Sequence, residues 1–283
     1  MTTRELLGAA TARLSEAGVA SPELDARLLL AHVLGVPHLT LAGDAELDSE
    51  RADRFEALIA RRAAREPLQH LLGTAAFRYV DVEVGPGVFV PRPETELLAG
   101  WGIAQLTALR EAGTASPIAV DLCTGSGVIA KAVADEHPAA KVFAVEVSEP
   151  ALDYARRNLA DTGVDLRSGD IADCLHELDG RVDVVMANPP YIPLSEYESV
   201  AVEARDHDPA IALWSGPDGL DVIRLVERVA HRLLRPGGVV GCEHADSQGE
   251  LVPALFGETG RWTGVRDHRD LAGRPRFTTA HRL

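Results

Sequence analysis

Cysteine is scarce in this sequence: Cys123, Cys174 and Cys242 stand far apart, odd in number, with no C-x-x-C pair. A disulfide framework or a paired-cysteine zinc site is therefore excluded, and reduced thiols of a cytoplasmic protein are expected. Long apolar runs are missing too. No stretch reaches the about 18 residues of a membrane span, and no signal-peptide core follows the N-terminus, so no membrane association is expected. Ten histidines are present, yet none forms an H-x-x-x-H pair; structural or surface roles are expected for them, and no metal site. Positive charge is also short: 28 basic residues face 43 acidic ones, a net charge of −15, with no basic tract. That balance disfavours a nucleic-acid backbone as the main partner. There is no internal repeat and no low-complexity segment.

What remains is ample core material, 46% apolar residues in 283, enough for one large domain or two ordinary ones. Residues 1–74 read as a small helical bundle. Leu6, Leu7, Ala10 and Leu14 share a helical face, and so do Leu24, Leu28 and Ala31. Ser21 and Pro22 mark a helix start, Phe55, Leu58 and Ile59 a third helix, and Gly73 a stop. Residues 75–91 alternate valines around a G-P-G turn at 85–87 and read as a hairpin linking two domains. "PRPETELL" at 91–98 opens a helix with Pro93 in its first turn, and the second domain runs over 92–283. There strands (117–122, 141–147, 182–187, 238–243) alternate with helices (127–136, 149–160, 218–234). This is the signature of an α/β fold, an open and mostly parallel sheet covered on both faces. Two last strands, near 262–267 and 275–281, are close enough to pair antiparallel.

The turn after the first of these strands, "DLCTGSGVIA" at 121–130, is glycine-rich and opens a helix, a place suited to negative charge. Gly125, Gly127 and Ala130 satisfy G-x-G-x-x-A. Glu146, 21 residues beyond Gly125, sits where an acid grips ribose hydroxyls. A nicotinamide dinucleotide would fit that pattern. Asp121 tilts it elsewhere. A carboxylate at the strand tip is awkward beside a pyrophosphate but suits the zwitterionic amino-acid end of S-adenosyl-L-methionine; the alternative is that it caps the loop's own amides. Asp170 in "RSGDI" has two readings as well, a hydrogen-bond partner for an adenine amino group or a plain turn residue.

"VDVVMANPPYIP" at 182–193 is a buried strand that ends in Asn188, Pro189, Pro190 and Tyr191. Ligands of open α/β sheets bind beyond such strand ends. The side-chain oxygen of Asn188 and the carbonyl of Pro189 are two acceptors, and a planar NH₂ has two protons to give. The prolines restrict the direction of that carbonyl, and Tyr191 offers a face for stacking. The pattern suits methylation of a delocalised nitrogen, an amide or an aromatic amine, with no strong general base.

"NPPY" is similar to the motif of class I (Rossmann-like) methyltransferases that modify planar nitrogens. Together with "REPLQHLLG" (65–73), "FVPRPETE" (89–96), "DLCTGSG", "GPDGL" (216–220), "LLRPGGVVGCEHADSQ" (233–248) and "DLAGRPRF" (270–277), it resembles the HemK/PrmC family over nearly the whole chain. The resemblance implies methylation of the side-chain N5 of the glutamine in the Gly-Gly-Gln loop of peptide chain release factors, with S-adenosyl-L-methionine as donor. It implies a cofactor loop at Cys123, Thr124, Gly125, Ser126 and Gly127, with Asp121 before it. It also implies a ribose acid at Glu146, adenine-side residues at Asp170 and Ile171, and a clamp of Asn188, Pro189, Pro190 and Tyr191, of which Asn188 also borders the cofactor. Catalysis falls to Asn188, Pro189 and Tyr191, and substrate recognition to the helical bundle. The family usually has Asp at 146 and often an aromatic residue at 171 and at 70. Arg92 and Glu94 are read either as pocket floor or as a helix start. Two further readings are an adenine-N6 methyltransferase and a cofactor-binding docking protein without catalysis.

Overall fold

The computed structural model describes residues 2–37 and 46–283. Four helices come first: α1 (Thr3–Glu16), α2 (Pro22–Leu34), α3 (Ser49–Ala63) and α4 (Leu68–Leu72). The strands β1 (Thr74–Phe77) and β2 (Val80–Glu83) and the helix α5 (Thr95–Glu111) lead into the alternating region. That region runs β3 (Ile118–Leu122), α6 (Val128–Glu136), β4 (Lys141–Glu146), α7 (Glu149–Leu159), β5 (Asp165–Ser168) and β6 (Val182–Ala187). Two short helices follow, α8 (Val202–His207) and α9 (Ala210–Leu213). The chain closes with α10 (Asp221–Leu233), β7 (Leu234–Glu243), α11 (Leu251–Glu258), β8 (Trp262–Arg269) and β9 (Pro275–Arg282).

The chain forms two compact units, residues 1–74 with 201–207, and residues 75–200 with 208–283. In the first, a capping box of Thr2 and Glu5 starts α1, and Gly35 in the left-handed region ends α2. Its core is Leu6, Ala10, Leu14, Ala26, Leu29, Leu30, Phe55 and Ile59. The expected face of α2 is corrected in part. Ala31 is buried, but Leu24 is exposed and Leu28 only partly covered, whereas Ala26, Leu29, Leu30 and Val33 are buried. Both stripes have helical spacing, so periodicity alone does not choose between them. A buried ion pair shares the inner side: Asp25 accepts from Arg62 Nε at 2.8 Å. Glu203 of α8 takes Arg62 at 3.1 Å and Arg65 at 2.7 Å, which brings a late segment of the chain into this unit. Ser21 occupies the N-cap of α2 without a side-chain capping bond.

The second unit is built on a seven-stranded sheet of order β5-β4-β3-β6-β7-β9-β8. All neighbours are parallel except β9, which runs antiparallel to β7 and β8. Renumbered from β3, the order is 3-2-1-4-5-7-6. The inserted antiparallel strand separates it from the 3-2-1-4-5-6 dinucleotide sheet, and the fold is that of a class I methyltransferase. β6 is buried along its whole length. Val184 and Met186 pack with α5, α6 and α7 on one face, while Val185 and Ala187 pack with α10 and α11 on the other. Asp183, the second residue of that strand, is satisfied by Ile118 N–H at 2.8 Å and Arg235 Nε at 2.6 Å.

Two boundaries differ from expectation. The hairpin is β1–β2 and turns at Arg78–Tyr79, where Arg78 adopts φ 53°, the left-handed geometry that short hairpin loops require. The G-P-G segment follows it and packs on α7. A Cβ on Gly85 would lie 2.4 Å from the Tyr154 hydroxyl, and one on Gly87 2.9 Å from Pro150. Ala75, Phe77, Val82, Val84 and Val88 join the sheet's core cluster, so residues 75–91 belong to this unit and are not a free linker. The helix α5 begins at Thr95, so Pro93 does not stand in its first turn as expected but precedes its N-cap, Glu94.

Candidate active site

Parallel register places the two motifs side by side. Leu122 of β3 pairs with Ala187 of β6, so Cys123 and Asn188 leave adjacent strand ends together. Ala187 in turn pairs with Cys242 of β7, which brings Glu243 beside Asn188 on the other side.

The glycine loop is held mainly from within. Asp121 is fully buried and its Oδ2 accepts from the Thr124 hydroxyl at 2.5 Å and from Ala130 N–H at 3.2 Å. Its Oδ1 is also buried and has no hydrogen-bond partner among the described residues. Of the two readings of Asp121, the geometry displays the loop-holding one. Burial pushes its carboxyl up to about 7, against the lowering effect of those two donors. Cys123 adopts φ 61°, a left-handed conformation that costs a non-glycine residue roughly 1–3 kcal/mol; burial pushes its thiol pKa well up, so it is not a reactive thiolate. Gly125 and Gly127 are left-handed as well, at φ 58° and 83°. Space is open where a Cβ on Gly125 would stand, while one on Gly127 would meet Leu159 at 3.0 Å. Ser126 is buried, and its carbonyl accepts from Asn158 Nδ2 at 2.8 Å. Asn158 also bonds both backbone groups of Glu83. It ties β2, α7 and the loop together, a role that nothing in the sequence pattern marks.

Glu146 ends β4 under this loop. Its Oε1 accepts from Val147 and Ser148 N–H at 3.0 and 2.8 Å, and its Oε2 from Gly125 N–H at 2.8 Å. A carboxylate oxygen has two lone pairs, so Oε2 keeps one for a further donor. Asp170 is exposed and caps its own turn through Ala172 N–H at 2.8 Å. Ile171 is buried at 6% exposure in the apolar cluster with Val120, Leu122 and Val145. The structure thus brings Cys123–Gly127 and Glu146 together, and the β4–β5 pairing carries Asp170 and Ile171 to the same strand ends, where Asp170 displays a turn bond and Ile171 core packing.

At the end of β6 the bonding is different. Asn188 Nδ2 donates to Thr95 Oγ1 at 3.2 Å. Its Oδ1 and the Pro189 carbonyl receive no hydrogen bond recorded among the described residues. Pro189 is buried, and Pro190 and Tyr191 are partly covered. The Tyr191 hydroxyl donates to Glu243 Oε1 at 3.3 Å, and its carbonyl accepts from Gln248 Nε2 at 2.9 Å. Burial and the neighbouring Glu243 raise the Tyr191 pKa, so it stays a phenol. Burial likewise pushes Glu243 up to about 7, opposed by the nearby Thr95 hydroxyl, the charge of Arg276 and the Tyr191 bond. Gly219 of "GPDGL" packs on the clamp's backbone: a Cβ there would lie 2.2 Å from the Tyr191 carbonyl oxygen. Arg92 is engaged by Asp208 and stacks over Phe89 at 4.9 Å, and Glu94 pairs with Arg274 at 3.8 Å. Thr95, Glu243 and Gln248 surround the motif without having been assigned a role from sequence, although all three lie in segments that carry the family resemblance.

Residues 5–73 match the family model of the PrmC N-terminal domain, and residues 104–204 that of the methyltransferase small domain. A release factor glutamine methyltransferase of Streptomyces coelicolor is 56% identical over 96% of this chain and 95% of its own length. The chain belongs to the release factor glutamine methyltransferase family. A second member, from Mycolicibacterium smegmatis, is 50% identical over 99% of this chain and 98% of its own. A 4-amino-L-phenylalanine/4-methylamino-L-phenylalanine methyltransferase of Streptomyces pristinaespiralis is 44% identical over 93% of this chain and 89% of its own. Among the described residues no helix is long and apolar enough to cross a membrane.

Proposed function

We propose that this chain transfers a methyl group from S-adenosyl-L-methionine to the side-chain amide nitrogen of the glutamine in the Gly-Gly-Gln loop of peptide chain release factors. The observation that carries the reading is the pair of unengaged acceptors, Asn188 Oδ1 and the Pro189 carbonyl, beside a glycine loop with an acid at its base. A glutamine NH₂ has two protons, and two acceptors hold both. So held, the nitrogen is oriented for attack, and positive charge that develops on it meets oxygen dipoles already in place. The residues present fit the donor. Gly125 leaves open space, Glu146 Oε2 keeps a lone pair for a ribose hydroxyl, and the unpartnered Asp121 Oδ1 lies beneath the loop. When bound, the donor supplies a methyl on a sulfonium, a leaving group that needs no acid. The amide proton then goes to solvent after transfer, so no strong base is required.

The S. pristinaespiralis relative keeps an arylamine reading open to test, because a 4-aminophenyl group offers the same planar NH₂ to the same acceptors. The higher identity to the release factor enzymes of S. coelicolor and M. smegmatis favours glutamine. With labelled methyl donor, label is expected in an intact release factor and absent from its Gln→Ala variant. Label on 4-amino-L-phenylalanine, or on adenine in nucleic acid, with none on the factor would overturn the assignment.

The bundle of residues 1–74 is read as the release factor recognition module, since every candidate cofactor residue lies after position 120. Deleting it would strip Glu203 of Arg62 and Arg65, so the test uses the full chain. Hydrogen exchange should slow within 1–74 on adding release factor and stay unchanged there on adding cofactor. The reverse pattern would sink the reading.

A further inference from the structure

We infer that Gln248 is a positioning residue for the clamp: its side-chain amide holds the Tyr191 carbonyl and, through it, the acceptor at Pro189. The inference rests on the reading that Asn188 and Pro189 accept from the target NH₂. The hydrogen bonds of Gln248 admit only one orientation of its amide. Its Oε1 accepts from Ala245 N–H at 3.0 Å, and its Nε2 donates to the Tyr191 carbonyl at 2.9 Å and to the Asp218 carbonyl at 3.4 Å. All three partners are backbone groups, whose roles as donor or acceptor are fixed. Turned over, the amide would set N–H against N–H and oxygen against two carbonyls.

The side chain is set before it reaches the clamp. Gln248 N–H donates to the Ala245 carbonyl at 2.9 Å while Oε1 takes the Ala245 N–H, so backbone and side chain close on one residue. That turn follows β7 and is seated on the start of β9: a Cβ on Gly249 would lie 2.5 Å from Pro275. Gly219 opens the approach from the other side. A Cβ there would lie 2.2 Å from the Tyr191 carbonyl oxygen and 2.7 Å from Gln248 Nε2, the two atoms that bond. Gln248 is 3% exposed, so water has little access to compete for them.

Tyr191 is thereby pinned at both ends, by Gln248 at its carbonyl and by Glu243 Oε1 at its hydroxyl, 3.3 Å away. Two anchors fix the plane of the ring that would stack on a flat substrate group. They also restrain the carbonyl of Pro189. Only Pro190 separates it from Tyr191, and the pyrrolidine ring locks one of the torsions between them. An acceptor without this hold must be brought back to the target nitrogen in each turnover, which adds to the barrier and leaves cofactor binding alone.

The test is steady-state methylation of release factor at pH 8, with cofactor binding measured separately by calorimetry. Gln248→Glu keeps the length of the side chain and the oxygen that takes the Ala245 N–H. An ionised carboxylate has no proton to give, so both bonds to the carbonyls are lost. The folded variant is expected to lower kcat about tenfold, the worth of one lost hydrogen bond, with KM and cofactor Kd within about twofold of wild type. A purely structural role in the 245–248 turn predicts the opposite, since the turn's own bond survives. Normal kcat in folded Gln248→Glu therefore reduces Gln248 to a turn residue and overturns the inference. Should that variant fold poorly, Gln248→Met, close in volume and uncharged, takes its place. A similar loss of kcat with unchanged cofactor Kd is expected; normal kcat, or a cofactor Kd that weakens in step with kcat, overturns positioning. These outcomes leave the clamp reading standing. Normal turnover by Asn188→Ala would remove that reading, and the inference with it.

Discussion

The ends of β4 and β6 lie on the same edge of one sheet and are bonded in opposite ways. At the end of β4, Glu146 is held by backbone amides: three of them, from Gly125, Val147 and Ser148, take three of its four lone pairs. At the end of β6, Asn188 spends its donors inward on Thr95 and leaves its acceptor, with the Pro189 carbonyl, unengaged. Each arrangement suits its task. A cofactor loop must keep its shape between turnovers, and amides bonded to an acid give it one. A clamp for a reacting nitrogen must offer acceptors already aimed, since reorienting them during the reaction would add to the barrier.

The sharpest way to break this comparison is at Asn188. Asn188→Ala should fold normally and lower kcat on the order of 10²–10³-fold, the range for removing one preorganised polar contact. Normal turnover on release factor would show that the unengaged acceptor is idle. Asn188→Asp should also be poor, because it adds a charge and gives up the bond to Thr95.

Next comes Asp121, the self-satisfied side of the contrast. Its folded value, about 7, lies above its ordinary 3.8. The folded chain thus binds the proton more tightly than the unfolded chain. Its contribution to stability is full below about pH 4 and is lost as pH rises through 7. Between pH 5 and pH 8 the wild type should lose roughly 3 kcal/mol relative to Asp121→Asn, two pH units at about 1.4 kcal/mol each. Denaturant titrations at the two pH values measure it. Parallel pH dependence in the two proteins would mean that Asp121 is ionised throughout.

Glu146→Ala should weaken S-adenosyl-L-methionine binding by roughly 1.5–3 kcal/mol, the range for a charged hydrogen bond. Calorimetry on the folded variant decides; unchanged affinity would mean that the acid serves the loop alone. The smallest effect is expected at Asp170, exposed and bonded to Ala172. Asp170→Ala should cost about 0.5–1 kcal/mol of stability and raise the cofactor Kd less than about tenfold. An unchanged Kd would leave it a turn residue.

Much of this was legible in the residues. The alternation of apolar strands with amphipathic helices marked β3, β4, β6 and β7 but not the polar β5, and Gly125, Gly127 and Asn-Pro-Pro-Tyr marked the two ligand-side loops. These are local signals, set by backbone freedom, by proline and by periodicity, which a linear chain displays. The misplaced face of α2 shows the limit. Leu24 and Leu28 are as apolar as Leu29 and Leu30, and only the buried partner Arg62 on α3 and the rest of the core decide which pair turns inward. The hairpin shows it again. The G-P-G segment has turn chemistry, yet its glycines serve close contact with Pro150 and Tyr154, and Arg78 makes the turn.

The sequence by itself determined the α/β architecture, the strand-end location of the chemistry, and the residue types that hold a planar nitrogen. Those follow from patterns within a few residues of one another. Tertiary structure alone decided what the Asn188 amide bonds, because its partner Thr95 lies 93 positions before it. A hydrogen bond needs its partner about 3 Å away in space, whatever their separation along the chain. That contact exists only where the start of α5 meets the end of β6.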